Sequence, residues 1–269
     1  MSKNHLPEAN RVSVLTAAVL LAFALTRVIS TPDIDVLIPL PGIPLGFTIN
    51  IHTAIAFLAA GLAATGMDWI LRTHPSLEKG ETHEHWPLPT LATLVVGQIL
   101  NTLPNGITWW LAFGLSGVLL VAIFLAEFIV VDPGDARYPL ASAALTALAF
   151  AIFLMLAIGL RVAEARLFLV IPALFLTSGL TALRTLHLRL NERWELGWAA
   201  GIALVVTQVG ASLHAWPVSP VRYGLVLLGP IYALATLAVG LLEGNPFRRA
   251  VVEPVVMLSV IWGLAIWFR

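Results

Sequence analysis

The chain has 269 residues, of which 59% are hydrophobic and only 11% are charged, and its formal net charge at pH 7 is zero. Soluble domains carry roughly 25% charged residues, so this composition excludes an ordinary soluble protein and indicates an integral membrane protein. The neutral charge balance excludes the basic surface that nucleic-acid binding requires. The absence of cysteine excludes disulfides, iron–sulfur clusters and thiolate metal sites.

Nine mostly apolar stretches fill almost the whole sequence. A helix needs about 20 apolar residues to cross a bilayer core of about 30 Å, and these stretches are too long and continuous for strands of a membrane barrel. We therefore predict an all-α fold, a polytopic transmembrane bundle in which residues 1–269 form a single transmembrane helical domain. The predicted spans are residues 13–30, 48–71, 88–103, 107–131, 138–161, 167–190, 196–214, 219–242 and 250–268.

The connection between the first two predicted spans, residues 33–50, contains three prolines and two glycines, which exclude a regular helix. Apolar residues flank the turn signal Pro41-Gly42, so we expect a short extended hairpin on the outer surface. Two interpretations stay open, a lid over an outward-facing site and an apolar plug that caps the bundle.

The distribution of lysine and arginine orients the predicted spans. An inner N-terminus places ten of these residues on the inner side and five on the outer side, as the positive-inside rule expects. The third span is short, between Pro87 and Pro104, and if it does not cross, the split becomes eight to seven. We therefore predict nine spans with the N-terminus inside.

Ionisable side chains inside spans are costly, so they mark function or specific pairing. Asp68 and Arg72 are four residues apart and can pair on one helix face. Two interpretations stay open for the group near the inner surface, an interhelical ion-pair clamp and a relay for protons or cations. The group comprises Asp68, Arg72, Glu127, Arg184, Glu243 and Glu253.

A second polar group is predicted near the outer surface. Its arginines suit phosphate or carboxylate, because guanidinium forks match both. The sequence therefore predicts a site for a small or lipid-like anionic ligand, with pairing to Glu164 and ordinary headgroup contact as the alternative. The candidate ligand-binding residues are Asn50, His52, Arg161, Arg166, His214 and Arg222.

Two further stretches of the sequence carry residues suited to catalysis or metal binding. The stretch from Gly114 to Gly117 resembles the GxSG motif of rhomboid proteases, with Ser116 as nucleophile and His214 as base, but Ala56 stands where the family has an asparagine. The inner loop holds imidazole and carboxylate groups that suit zinc or nickel, at spacings that match no closed site. The candidate metal ligands of this loop are His74, Glu81, His83, Glu84 and His85. We interpret the loop as polar, and we expect no catalytic residue, metal or cofactor in the protein.

Two resemblances extend this interpretation. Residues 38–61, from Ile38-Pro39-Leu40-Pro41 to Ala60-Gly61, resemble the loop and second helix of vitamin-binding S-components of ECF transporters, where such a loop covers a substrate pocket. The whole chain is similar to an uncharacterised family of bacterial multi-spanning membrane proteins. That resemblance implies the bacterial inner membrane and brings no activity; it rests on Thr65-Gly66-Met67-Asp68-Trp69, His74-Pro75, Val130-Val131-Asp132-Pro133, Arg137-Tyr138-Pro139-Leu140, Pro217-Val218-Ser219-Pro220 and Tyr223.

These observations favour binding or transport of a small or lipid-like anionic ligand by a protein whose main partner is the lipid bilayer. A structural or assembly subunit is the first alternative, because the loops are short and no catalytic set is evident. A rhomboid-like intramembrane hydrolase is the second alternative. The two halves show no evident sequence repeat, and the oligomeric state stays open.

Overall fold

The computed structural model describes residues 6–29, 51–75, 77, 82–190 and 194–268, together with the backbone of residues 34–40 and 43–49. The chain forms two compact units, Met1–Tyr138 (unit 1) and Pro139–Arg269 (unit 2). Each unit has its own hydrophobic core. The single domain that the sequence suggests stays a prediction.

In the described part of unit 1 there are four long helices, α1 (Ala9–Leu25), α2 (Ile51–Leu71), α3 (Pro87–Thr102) and α4 (Ile107–Val130), with a short 3-10 helix at His83–His85. Strands β1 (Ile34–Leu40) and β2 (Ile43–Ile49) pair antiparallel in the segment for which the sequence predicts a hairpin, with Leu40 opposite Ile43. The side chains of both strands lie outside the described residues. The choice between a lid and a plug therefore stays a prediction.

The core of unit 1 forms where α1 packs against α2 and α4. Leu15 and Phe23 of α1, Met67 of α2 and Phe124 of α4 are buried together. Gly66 lets α1 approach α2, since a Cβ at this position would lie only 2.1 Å from a methyl group of Leu15. Close approach through small residues is how membrane helices gain packing energy when lipid supplies no hydrophobic driving force.

The described residues of unit 2 form five long helices and one short one, and the core of this unit is built from α5, α6, α7 and α8. Buried Phe153 of α5, Leu174 of α6, Val206 of α7 and Leu227 of α8 meet there. The helices are α5 (Tyr138–Val162), α6 (Leu167–Arg189), α7 (Leu196–His214), α8 (Pro220–Leu242), α9 (Phe247–Ala250) and α10 (Val252–Trp267).

Helix length and apolarity support the membrane assignment. Among the described residues, seven helical stretches are long and apolar enough to cross a membrane: α2, α4, α5, α6, α7, α8 and the continuous stretch Phe247–Trp267. Helices α1 and α3 are shorter, with 17 and 16 residues. The structure therefore confirms a bundle of membrane-type helices, whereas the count of nine spans and the inner N-terminus stay predictions.

Candidate functional site

In unit 1, an arginine after the first helix binds the end of the third. The guanidinium of Arg27 donates hydrogen bonds to the carbonyl oxygens of Leu100 (2.8 Å) and Leu103 (2.6 Å) and to Oδ1 of Asn105 (2.7 Å). It also lies over the ring of Trp109, 5.1 Å from the centroid. Carbonyls at a helix C-terminus lack intrahelical partners and attract cations, so Arg27 satisfies the end of α3.

The equivalent contact in unit 2 is made by Arg161, in the last turn of α5. Its guanidinium donates to the carbonyl oxygens of His214 (2.9 Å), Trp216 (2.6 Å) and Val218 (3.3 Å) and lies 5.8 Å from the centroid of the Tyr223 ring. Arg161 therefore satisfies carbonyls at and beyond the end of α7. We call each of these arrangements an arginine clamp.

The other predicted outer residues are placed as follows. Arg166 is exposed in the α5–α6 connection of unit 2, while His214 and Arg222 are half-buried at the end of α7 and the start of α8. His52 belongs to α2 of unit 1, and Asn50 lies outside the described residues. The outer anion site stays a prediction. One of its arginines, Arg161, already donates hydrogen bonds to three backbone carbonyl oxygens.

At the opposite end of unit 1, a buried histidine meets a buried glutamate. Nδ1 of His85 lies 2.7 Å from Oε2 of Glu127, and the two side chains are 7% and 0% exposed. Close by in the chain, Asp68 forms an ion pair with Arg72 at 2.8 Å and accepts a hydrogen bond from the Thr82 hydroxyl. These contacts hold the α2–α3 connection against α2 and α4. They favour the ion-pair interpretation for Asp68, Arg72 and Glu127, and the relay interpretation stays a prediction.

The α4–α5 connection adds a third pair to this end of unit 1. The Asp135 carboxylate accepts hydrogen bonds from the Arg137 side chain at 2.6 and 3.0 Å and from its backbone N–H at 2.8 Å. The Arg137 side-chain bond holds the pKa of Asp135 at about 2, with further lowering by His74. We call the three paired sets, Asp68–Arg72, His85–Glu127 and Asp135–Arg137, the paired end of unit 1.

Two histidines of the predicted polar loop are buried, His74 and His85. The His74 ring packs edge-on against Phe128, with centroids 4.6 Å apart. Within the described ranges, no three histidine, aspartate or glutamate side chains are arranged to hold a metal ion. Sequence reasoning missed the burial of His85, although its position just before Trp86-Pro87, at the start of a helix, was a signal.

In unit 2, charged side chains line an open cavity of about 480 Å³ at the end that holds the α6–α7 connection. Gly244, with φ at +81°, turns the chain after α8, and the Asn245 N–H donates to the Gly240 carbonyl at 3.0 Å. Gly240 lies so close to Ala250 that a Cβ there would be 3.1 Å from the Ala250 Cβ, which brings α9 against α8. We call this space the polar cavity; it is lined by Arg189, Thr236, Val239, Gly240, Glu243, Asn245, Arg249, Ala250 and Glu253.

The structure divides the predicted inner group. Asp68, Arg72 and Glu127 belong to unit 1, whereas Glu243 and Glu253 line the polar cavity of unit 2. Arg184 is buried in α6, 3% exposed, and is not among the cavity residues. The cavity residues Arg189, Arg249 and Asn245 were missed, because the sequence presents the two arginines as ordinary cations that flank a span.

The rhomboid-like alternative depends on Ser116. Its hydroxyl donates to the Ala112 carbonyl of the same helix at 2.7 Å, a common arrangement for serine in membrane helices. His214 lies in the other unit. No described contact joins Ser116 to a base, so this alternative gains no support.

The family model described as "Protein of unknown function (DUF5656)" matches residues 30–268. No curated protein and no solved structure matches the chain. The family match covers most of the sequence, and the described helices include seven of membrane-spanning length and apolarity. The chain therefore belongs to this family of proteins of unknown function, as a membrane protein built of apolar helices.

Proposed function

We propose that this protein binds a small or lipid-like anionic ligand in the polar cavity of unit 2. The observation that carries the proposal is the presence of two arginines, Arg189 and Arg249, in one cavity of about 480 Å³. Ligand sites commonly span about 300 to 1,000 Å³, so a small molecule or a lipid headgroup fits this volume. Guanidinium groups bind phosphate and carboxylate through two parallel hydrogen bonds.

The two arginines have donors to spare. Among the residues that the structure describes, the ion pairs involve Arg11, Arg72, His85 and Arg137, and neither Arg189 nor Arg249 takes part. Both side chains are exposed at the mouth of the cavity. This contrasts with Arg161, whose donors are bound to backbone carbonyls, and it favours the polar cavity over the predicted outer site.

We further propose nine spans, an inner N-terminus and a bacterial inner-membrane location. Each predicted span overlaps a described helix, and α1 and α3 are the two shorter ones. In this topology the polar cavity faces the cytoplasm, where basic pockets between helices hold anionic headgroups. Labelling of Ser219→Cys from outside and of Glu195→Cys only from inside tests it; the reverse pattern would exclude it.

Local resemblance of residues 38–61 to S-components agrees with a role in ligand capture. The structural-subunit alternative differs in that it requires no specific ligand. Native mass spectrometry of the protein in mild detergent separates the two, since a discrete retained mass that disappears in Arg249→Gln supports binding, whereas only bulk exchangeable lipid supports the subunit.

A quantitative test measures binding of ethyl phosphate to the purified chain by titration calorimetry. Replacement of Arg249 by glutamine should weaken binding about tenfold or more, which corresponds to about 1.4 kcal/mol. Arg248→Gln is the matched control, because Arg248 is adjacent in α9 and exposed but does not line the cavity. Equal weakening of binding in both variants would mean that the loss follows from the change in net charge alone, and it would overturn the proposal.

A further inference from the structure

The polar cavity contains as many carboxylates as guanidinium groups. Glu243 and Glu253 line it together with Arg189 and Arg249. A site for a purely anionic ligand has no use for two carboxylates, since like charges at close range oppose binding. The composition of the lining therefore carries information about the ligand beyond its negative charge.

Each carboxylate is held by a neutral donor. The Tyr232 hydroxyl donates to Oε1 of Glu253 at 3.2 Å, and the Asn245 amide donates to Oε2 of Glu243 at 3.3 Å. A carboxylate offers about four acceptor positions, so one hydrogen bond leaves most of its capacity available. Glu253 also lies in the first turn of α10, where the helix dipole favours negative charge.

The positive and negative groups of the cavity are not paired with each other. In the described part of the chain, no ion pair joins either arginine to either glutamate. Arg189 comes from the end of α6 and Arg249 from α9, while Glu243 follows α8 and Glu253 begins α10. Unit 2 thus presents two cations and two anions from four different segments to one space.

We propose that the ligand of this cavity is a zwitterion in which a phosphate or carboxylate is joined to a primary amine. The inference rests on the proposed function and names its ligand class. The anionic group binds the arginines, and the ammonium donates its three hydrogens to the glutamates. Such a group occurs in free phosphoethanolamine and in the headgroup of an aminophospholipid.

The first experiment compares three probes on the purified full-length chain by titration calorimetry: phosphoethanolamine, ethyl phosphate and ethanolamine. We expect phosphoethanolamine to bind about tenfold or more tightly than either of the others. Glu253→Gln should lower its affinity to that of ethyl phosphate while leaving ethyl phosphate binding unchanged or stronger. Glu243→Gln supplies a second, independent variant, and Glu195→Gln in the same unit is the control outside the cavity.

The outcomes separate the two proposals. Equal binding of phosphoethanolamine and ethyl phosphate, with loss in Arg249→Gln, would overturn the zwitterion while the anion site stands. Ethanolamine binding as tight as phosphoethanolamine would also overturn it. Absence of binding by all three probes overturns the zwitterion as a soluble ligand, and the lipid source is then decided in nanodiscs. Retention of phosphatidylethanolamine over phosphatidylglycerol by the wild type, lost in Glu253→Gln, supports the headgroup, whereas equal retention overturns the inference entirely.

Discussion

The two units have similar hydrogen bonds at one end of their helices and different polar groups at the other end. In each unit an arginine at or just after the end of the first helix binds the end of the third helix, and an aromatic side chain near the start of the fourth helix adds a further hydrogen bond. The Trp109 Nε1–H donates to the Leu100 carbonyl at 3.1 Å, and the Tyr223 hydroxyl donates to the Gly210 carbonyl at 3.1 Å. The shared arrangement relates α1–α4 to α5–α8, although the sequences show no evident repeat.

At the other end the units diverge. The paired end of unit 1 joins each of its three carboxylates to an arginine or histidine of the same unit, and His85 and Glu127 are both buried. The polar cavity of unit 2 keeps Arg189, Arg249, Glu243 and Glu253 apart around an open space. Buried charges need partners, whereas exposed charges remain available to a ligand. We therefore infer a stabilising role for the first region, and the proposed function places ligand binding in the second.

The largest expected effect comes from breaking the buried pair. Glu127→Ala should destabilise unit 1 by about 3 to 5 kcal/mol, because it breaks a buried pair by removing the carboxylate that contacts the His85 ring. Glu253→Ala in unit 2 should cost about 1 kcal/mol or less, since its carboxylate is exposed and accepts one hydrogen bond. Thermal unfolding in detergent measures both.

Similar losses of stability in the two variants would contradict the contrast between the regions. A double-mutant cycle with His85→Ala isolates the pair: the double variant should lose much less than the sum of the single variants. Additive losses would mean that the contact between His85 and Glu127 contributes little.

The helices were predictable, whereas most polar partners were not. Lipid forces long apolar stretches into helices, so a span predicted at residues 48–71 is observed as α2, Ile51–Leu71. The arginine clamps bind backbone carbonyls, and a carbonyl belongs to every residue and leaves no pattern in the sequence. The partner of Glu127 is 42 positions away, and no periodicity relates them.

The same reasoning explains why the sequence singled out only two of the charged residues that line the polar cavity, and assigned those two to an ion-pair or relay group. Glu243 and Glu253 stood out because carboxylates near apolar spans are unusual. Arg189 and Arg249 did not, because arginines at inner span ends are the normal consequence of membrane orientation. Their convergence depends on the turn at Gly244 and on the approach of α9 to α8, which are properties of the fold.

A smaller effect tests the likeness between the two clamps. Arg161→Gln should destabilise unit 2 by about 2 kcal/mol, because carbonyls at the end of α7 lose a charged donor. Arg27→Gln should cost about 1 kcal/mol, since Arg27 is more exposed to solvent. Arg166→Gln is the control, because Arg166 is exposed. If thermal unfolding shows equal losses of stability in Arg166→Gln and Arg161→Gln, the carbonyl contacts of Arg161 do not account for its effect.

The last comparison concerns acid and the paired end of unit 1. Hydrogen bonds from Arg137 lower the pKa of Asp135 from 3.8 to about 2, so the folded state favours the ionised carboxylate more than the unfolded chain does. The resulting stability is present above pH 4 and is lost as the pH falls from 4 toward 2. The free energy of unfolding measured across this range should therefore fall less steeply for Asp135→Asn than for the wild type.

Asp132→Asn is the matched control for the loss of a carboxylate from the same connection, because Asp132 accepts its described hydrogen bond from the Gly134 backbone N–H and not from an arginine. If the free energy of unfolding of Asp135→Asn falls with pH as steeply as that of the wild type, the Asp135–Arg137 contact does not stabilise the paired end.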